Sequence, residues 1–202
     1  MIDNKQIALA ITGASGAPYS KRLLQVLLDK GMTVHLMIST AGRIVLADEL
    51  DWKLPARASD VHKHLVNEFN CHEDNLRVYG EQQWSSPLAS GSHSVKTMIV
   101  CPCTMGTLSA IAVGGSDNLI NRAADVMIKE NRKLIMVPRE APFSAIHLEN
   151  MLKLARIGVC ILPPNPGFYF KPSTLSEIID FVVARILDQA EIEHNIAPRW
   201  SE

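Results

Sequence analysis

The chain has 202 residues, 47% of them hydrophobic and 20% charged, with 20 Lys and Arg against 21 Asp and Glu and a formal net charge of −1. That composition suits a globular chain with a substantial core. It offers no basic excess for nucleic acid and no charged tail, so any phosphate chemistry must rest on a few local cations.

Residues 7–12 read as a first strand and 18–28 as a helix that stops at Gly31. A second strand is expected at 33–38, helices at 41–50 and 59–69, and a short strand at 76–79. Further strands fit 97–101, 133–137 and 158–162, each short, apolar and bounded by turn residues. Helices fit 104–113, 117–131, 144–155 and 174–190. This alternation predicts an α/β fold, a doubly wound and mostly parallel sheet with helices on both faces. With no linker-like stretch, residues 1–202 read as one domain, with a C-terminal tail from about residue 191. There is no signal-peptide pattern and no apolar run long enough to span a bilayer, which points to the cytoplasm and to no membrane partner.

Four cysteines (Cys71, Cys101, Cys103, Cys160) are too few and too scattered for a disulfide framework. Cys101-Pro-Cys103 is not CxxC and no second ligand pair follows at zinc spacing, so no metal site is expected.

The richest segment runs from Lys133 to Met151. An apolar run ends in Pro138, Arg139 and Glu140 follow at once, and Ser144 opens a helix. Ligands of open parallel sheets bind at the carboxyl ends of strands. A cation beside a carboxylate there can hold an anion and move a proton, although a strand-end ion pair would look the same. The first strand leads into Thr12-Gly13-Ala14-Ser15-Gly16-Ala17-Pro18, whose glycines admit a ligand to the backbone and whose helix start favours an anion. GxGxxG and GxxxxGK[ST] are both absent, and Ser39-Thr40 replace the acid that a dinucleotide site needs after its second strand. FMN therefore fits better than NAD, and a plain βα turn is the alternative. Thr104-Met105-Gly106-Thr107 repeats the theme after the fourth strand, where simple N-capping competes with phosphate binding.

Asn118, Arg122, Asp125 and Lys129 form one polar stripe on the 117–131 helix, either a solvated face or a phosphate site. On the last helix Leu175, Ile178, Val182 and Ile186 form the expected apolar stripe. Arg185 falls at the edge of that buried face, where it needs an anionic partner: a structural acid or a substrate phosphate. The Pro-rich loop 163–172 can set Tyr169 over a ligand, and the small-residue loop 85–94 can pack closely on one.

The chain resembles the flavin prenyltransferases of ubiquinone biosynthesis over nearly its whole length. The resemblance is carried by TGASGAPY (12–19), ASGS (89–92), CPCTMGTLSAIA (101–112), DNLINRAADV (117–126), KENRKLIMVPREAPFSAIHLENMLKLA (129–155), GFY (167–169) and DFVVARILD (180–188). It implies a Rossmann-like, flavodoxin-like fold that binds FMN, usually as a homododecamer with active sites shared between protomers. The implied reaction transfers a dimethylallyl group from dimethylallyl phosphate to reduced FMN, without a metal. The prenylated FMN then passes to a partner decarboxylase.

Carried over residue by residue, the resemblance places flavin contacts at Gly13, Ala14, Ser15, Ser39, Thr104, Met105, Gly106, Thr107 and Arg139, with Ser90 as a helper. Dimethylallyl phosphate would meet Tyr169 and Arg185, joined by Arg122 and Lys129 from a neighbouring subunit. Glu140 and Glu49 match the acid/base positions, assisted by Ser15 and Lys129, and Trp84 and Trp200 would enclose the site. Gly106 stands where family members often carry Lys. Two rivals are a cysteine-decarboxylase-type flavoprotein, whose catalytic His and PxMNxxM are missing here, and a non-catalytic FMN carrier, which would not need the cations.

Overall fold

The computed structural model describes residues 5–93 and 95–199. Its strands are β1 (Gln6–Ile11), β2 (Thr33–Ile38), β3 (Leu76–Tyr79), β4 (Thr97–Cys103), β5 (Lys133–Pro138) and β6 (Cys160–Ile161). They form one sheet in the order β3-β2-β1-β4-β5-β6, and every pairing is parallel. The helices are α1 (Ala17–Asp29), α2 (Thr40–Leu50), α3 (Ala58–Phe69), α4 (Met105–Ala112), α5 (Leu119–Lys129), α6 (Ala145–Arg156) and α7 (Leu175–Gln189). This is the doubly wound fold expected from the alternation of strand and helix. No described helix is long and apolar enough to cross a membrane.

Helices cover the sheet on both faces, so its strands are apolar throughout rather than alternating. Ile7, Leu9 and Ile11 of β1 enter one core with Leu23, Leu24 and Leu27 of α1 and Val183 and Ile186 of α7. Ala8 and Ala10 enter the other, against Leu108 of α4 and Ala123 and Met127 of α5. Small residues on that side leave room for the bulkier helix side chains. Truncating a fully buried leucine such as Leu27 to Ala would cost about 2–5 kcal/mol.

Several boundaries differ from the sequence expectation. β4 runs on to Cys103, with a register shift between Val100 and Cys103. Such an irregularity breaks the period-two alternation, and Cys101 and Cys103 enter different cores. Burial pushes the Cys101 thiol up to about 12 and the Cys103 thiol higher still, so both stay protonated. The strand expected over 158–162 is only Cys160–Ile161. α5 starts at Leu119 because the Asn118 side chain accepts the Asn121 N–H and caps it.

The apolar stripe expected on α7 needs correction. Leu175 is 69% exposed, and the buried face is the continuous run Phe181–Ala184 together with Ile186 and Leu187. Arg185 is not at a buried edge either: its side chain is 52% exposed, and a structural acid, Asp188, is its partner at 2.5 Å.

Candidate active site

The chain leaves β1 toward β2 on one side and returns to β4 on the other, so the sheet reverses direction between β1 and β4. In open α/β sheets the crevice at that reversal is the binding position. The Thr12 hydroxyl bridges it, donating to the Pro102 carbonyl at 2.8 Å and accepting from the Thr104 N–H at 2.8 Å. Sequence reasoning passed over Thr12; its only sign was a lone hydroxyl closing an apolar strand.

Gly13 follows, and the packing there admits no side chain: a Cβ would sit 2.4 Å from the Ala41 Cβ. The turn therefore lies directly against the start of α2. Glu49, from the last turn of α2, accepts the Gly16 N–H at 3.0 Å and the Ala17 N–H at 2.8 Å. Partial burial alone would raise its pKa. The Ser15 hydroxyl, those two amides and the Arg139 charge outweigh that effect, and the net shift is below the ordinary carboxylate value. Glu49 is thus an ionised carboxylate seated on the N-terminus of α1, where a ligand phosphate would be repelled.

The first turn of α4 is open instead. Thr104 caps it, its hydroxyl oxygen accepting the Thr107 N–H at 3.0 Å, while nothing among the described residues accepts from the Met105 or Gly106 N–H. A Cβ on Gly106 would find its nearest neighbour, Thr104 Oγ1, at 3.9 Å, so this face of the turn is uncovered. Ser39 similarly caps α2, accepting the Gly42 N–H at 2.9 Å. The Thr104 hydroxyl also donates to Thr107 Oγ1 at 2.9 Å, so capping leaves ligand binding to the Thr107 hydroxyl hydrogen and to the free amides of the turn.

At the end of β5, the Arg139 backbone N–H donates to the Cys103 carbonyl, and Arg139 Nε donates to the Ser15 carbonyl at 3.0 Å. Glu140 is half-buried and accepts its neighbour Ala141's N–H at 3.0 Å. The two do not pair with each other, so the simple strand-end ion pair is excluded. Gly13, Ala14, Ser15, Ser39, Glu49, Thr104–Thr107, Arg139 and Glu140 thus come from one edge of the sheet.

The remaining expected residues lie elsewhere in the chain. Lys129 ends α5 just before β5 begins, and the Lys133 N–H meets the Lys96 carbonyl ahead of β4. Lys129 is therefore at the opposite edge of the sheet from Arg139, about 20 Å away along a six-residue strand. Arg122 pairs with Asp125 at 2.8 Å and donates to the Ala89 carbonyl at 3.0 Å, and Lys129 pairs with Glu130. The loop carrying Ser90 lies along this helix: a Cβ on Gly91 would sit 2.9 Å from Lys129 Nζ. Tyr169 and Arg185 line a third region, a cleft beside α7 that contains no residue of the β1–β5 edge group. Tyr169 packs edge-on against Phe181, with ring centroids 5.8 Å apart. Trp84 follows β3 and is 46% exposed; Trp200 lies outside the described residues. Sequence reasoning missed Asp188, His194 and Arg199 in the third region, although Asp188 follows Arg185 at helical spacing.

A parallel sheet with a glycine turn, open helix amides and an arginine at its reversal point defines a mononucleotide-binding α/β protein. The chain belongs to the Flavoprotein family, whose model matches residues 1–191, and within it to the flavin prenyltransferases. It is 50% identical to the flavin prenyltransferase UbiX of Pseudomonas aeruginosa, over 98% of this chain and 95% of that protein. Among solved structures it resembles AnUbiX (PadA1) in complex with FMN and dimethylallyl pyrophosphate, at 36% identity, TM-score 0.87 and 98% coverage of both chains. It also resembles a dodecameric FMN-dependent UbiX-like decarboxylase from Escherichia coli O157:H7, at 40% identity and TM-score 0.86, over 98% of this chain and 100% of that one.

Proposed function

We propose that this protein is a flavin prenyltransferase, transferring a dimethylallyl group from dimethylallyl phosphate to reduced FMN. The observation that carries this reading is the edge group at the β1–β4 reversal, where Glu49, Ser15 and Arg139 form one hydrogen-bonded set. Its uncovered amides suit a single phosphate, and Ser39, Thr104 and Thr107 suit the hydroxyls of a ribityl chain. Gly13, Ala14 and Met105 shape the flavin seat, and Gly106 lets the phosphate approach the backbone.

In the reaction, the carbon–oxygen bond of dimethylallyl phosphate breaks and the phosphate leaves with the electron pair. Carbon bonds to the flavin form, and closing the fourth ring releases a proton. Arg122, Lys129, Tyr169 and Arg185 hold the phosphate and stabilise the charge developing on it. Trp84 excludes water from the allylic cation and faces it with π density, a role the family resemblance also assigns to Trp200. Glu140 moves the proton. Glu49, held ionised by four neighbours, keeps Ser15 and the turn in place and serves as a second acceptor.

The separation of the edge, α5 and α7 groups within one chain supports a site assembled between protomers, with Ser90, Arg122 and Lys129 reaching a neighbour's flavin. A homododecamer would supply such neighbours, and the Escherichia coli relative is dodecameric. The whole chain acts as one flavin-binding unit in the cytoplasm and delivers prenylated FMN to a partner decarboxylase of the ubiquinone pathway.

The test is anaerobic incubation with reduced FMN and dimethylallyl phosphate, followed by mass spectrometry of the extracted flavin. The expected product has gained one prenyl unit. Unmodified flavin from folded, FMN-loaded protein would leave the carrier reading.

A further inference from the structure

The α7 cleft encloses about 550 Å³ between that helix and the chain following it, and its polar lining is Tyr169, Arg185, Asp188, His194 and Arg199. Asp188 is the hub. One of its oxygens accepts from Arg185 Nη1 at 2.5 Å, and the other faces His194 Nε2 at 2.9 Å and Arg199 Nη2 at 3.5 Å. The His194 side chain is 2% exposed, and its Nδ1 has no hydrogen-bond partner among the described residues. A buried imidazole with one unmet nitrogen depends on the bond it does make, so the Asp188 contact fixes the segment after α7 against the helix.

Arg199 is placed differently. Its side chain is 52% exposed, and 3.5 Å from Asp188 is too long for a normal hydrogen bond. Arg199 thus lines the cleft with no hydrogen bond to it among the described residues, beside an Arg185 that spends only Nη1 on Asp188. Two guanidiniums against one carboxylate leave the cleft with a positive surplus. Two planar forks on one cleft match the three oxygens of a phosphate monoester better than one fork can.

We propose that Arg199 is a second phosphate-binding side chain beside Arg185, and that Asp188, anchored by His194, is the positioning residue that keeps both guanidiniums on one cleft. The inference deepens the prenyltransferase reading and rests on it for the identity of the phosphate ester. When the ester's phosphate takes hydrogen bonds from Arg185, His194 holds Asp188 in place so that the carboxylate does not follow into the site.

The experiment uses the full-length, FMN-loaded protein. Arg199→Gln is expected to raise KM for dimethylallyl phosphate about tenfold and to weaken competitive inhibition by inorganic phosphate by a similar factor, as for loss of one charge-assisted contact. FMN content stays unchanged, and Arg199→Lys recovers part of both losses. Asp188→Asn is expected to shift the same two constants; if that variant does not fold, the half-exposed Arg199 still carries the test. Unchanged KM and unchanged phosphate inhibition in Arg199→Gln would overturn the proposal. Should the wild type form no prenylated flavin, calorimetric titration with inorganic phosphate separates the two ideas. Weaker phosphate binding in Arg199→Gln upholds the clamp although prenyl transfer fails, and equal binding removes the clamp as well.

Discussion

Arg139 and Ser15, 124 positions apart in the chain, are joined by a hydrogen bond from Arg139 Nε to the Ser15 carbonyl at 3.0 Å. The bond links the end of β5 to the turn after β1 across the intervening β4. It holds the backbone of the glycine turn while leaving the other guanidinium nitrogens available. Arg139→Ala is expected to weaken FMN binding about tenfold or more, since it removes both the anchor and a charged donor. Arg139→Lys should recover little, because a point charge cannot keep the Ser15 carbonyl and a ligand together. Fluorescence titration with FMN checks both variants.

Among the described residues the hydrogen bond that Glu140 accepts is its neighbour's amide, so changing it should spare the flavin seat. Glu140→Gln is expected to bind FMN normally and to slow adduct formation by about 10²–10⁴, the usual loss when a general acid or base is removed. Single-turnover mass spectrometry reads the rate. An unchanged rate would remove Glu140 from the mechanism.

Gly13 and Gly106 make opposite predictions. At Gly13 an added methyl collides with the Ala41 Cβ, whereas at Gly106 it meets Thr104 Oγ1 at ordinary van der Waals distance. Gly13→Ala is expected to lose about 1–3 kcal/mol and most FMN binding, as overpacked sites do. Gly106→Ala should fold as the parent does. Thermal melts with and without FMN compare them.

Acid sensitivity should trace largely to His35. Its ring is buried, with Nδ1 2.9 Å from the Tyr79 hydroxyl and Nε2 3.1 Å from Gln6 Oε1. Burial, then the neighbouring His93 and Arg77, lower its pKa from 6.5 to about 4. The unfolded chain therefore binds this proton first. The contribution is full above pH 6.5 and is lost as pH falls toward 4, amounting to about 3 kcal/mol. Burial also lowers the His93 pKa, which adds in the same direction. Urea unfolding at pH 7 and pH 4.5 should show a smaller difference in His35→Gln than in the parent.

Much of this molecule was legible before any coordinates. Short apolar runs separated by amphipathic ones specify strands buried on both faces with helices over them, because local periodicity reports burial directly. The glycine turn after the first strand and the hydroxyl-bearing turn after the fourth were legible as two candidate ligand loops, because glycines and hydroxyls at a helix start are local features of the chain. The ordered motif set reached the family for the same reason: each motif is a local stretch of chain.

What periodicity could not show was which distant groups meet. Leu175 looked buried by spacing and is exposed, since helix spacing gives a face but not the depth of its neighbour. Cys101 and Cys103, two apart in one strand, would share a face by alternation and enter different cores, because the β4–β5 register shifts between Val100 and Cys103. Composition, motifs and element order were determined by the sequence itself. Only the tertiary structure decided that Glu49 fills the end of α1, that Arg139 holds Ser15, and that Asp188 gathers Arg185, His194 and Arg199. Those contacts depend on crossovers that bring together segments up to 124 residues apart, and no local pattern encodes the result.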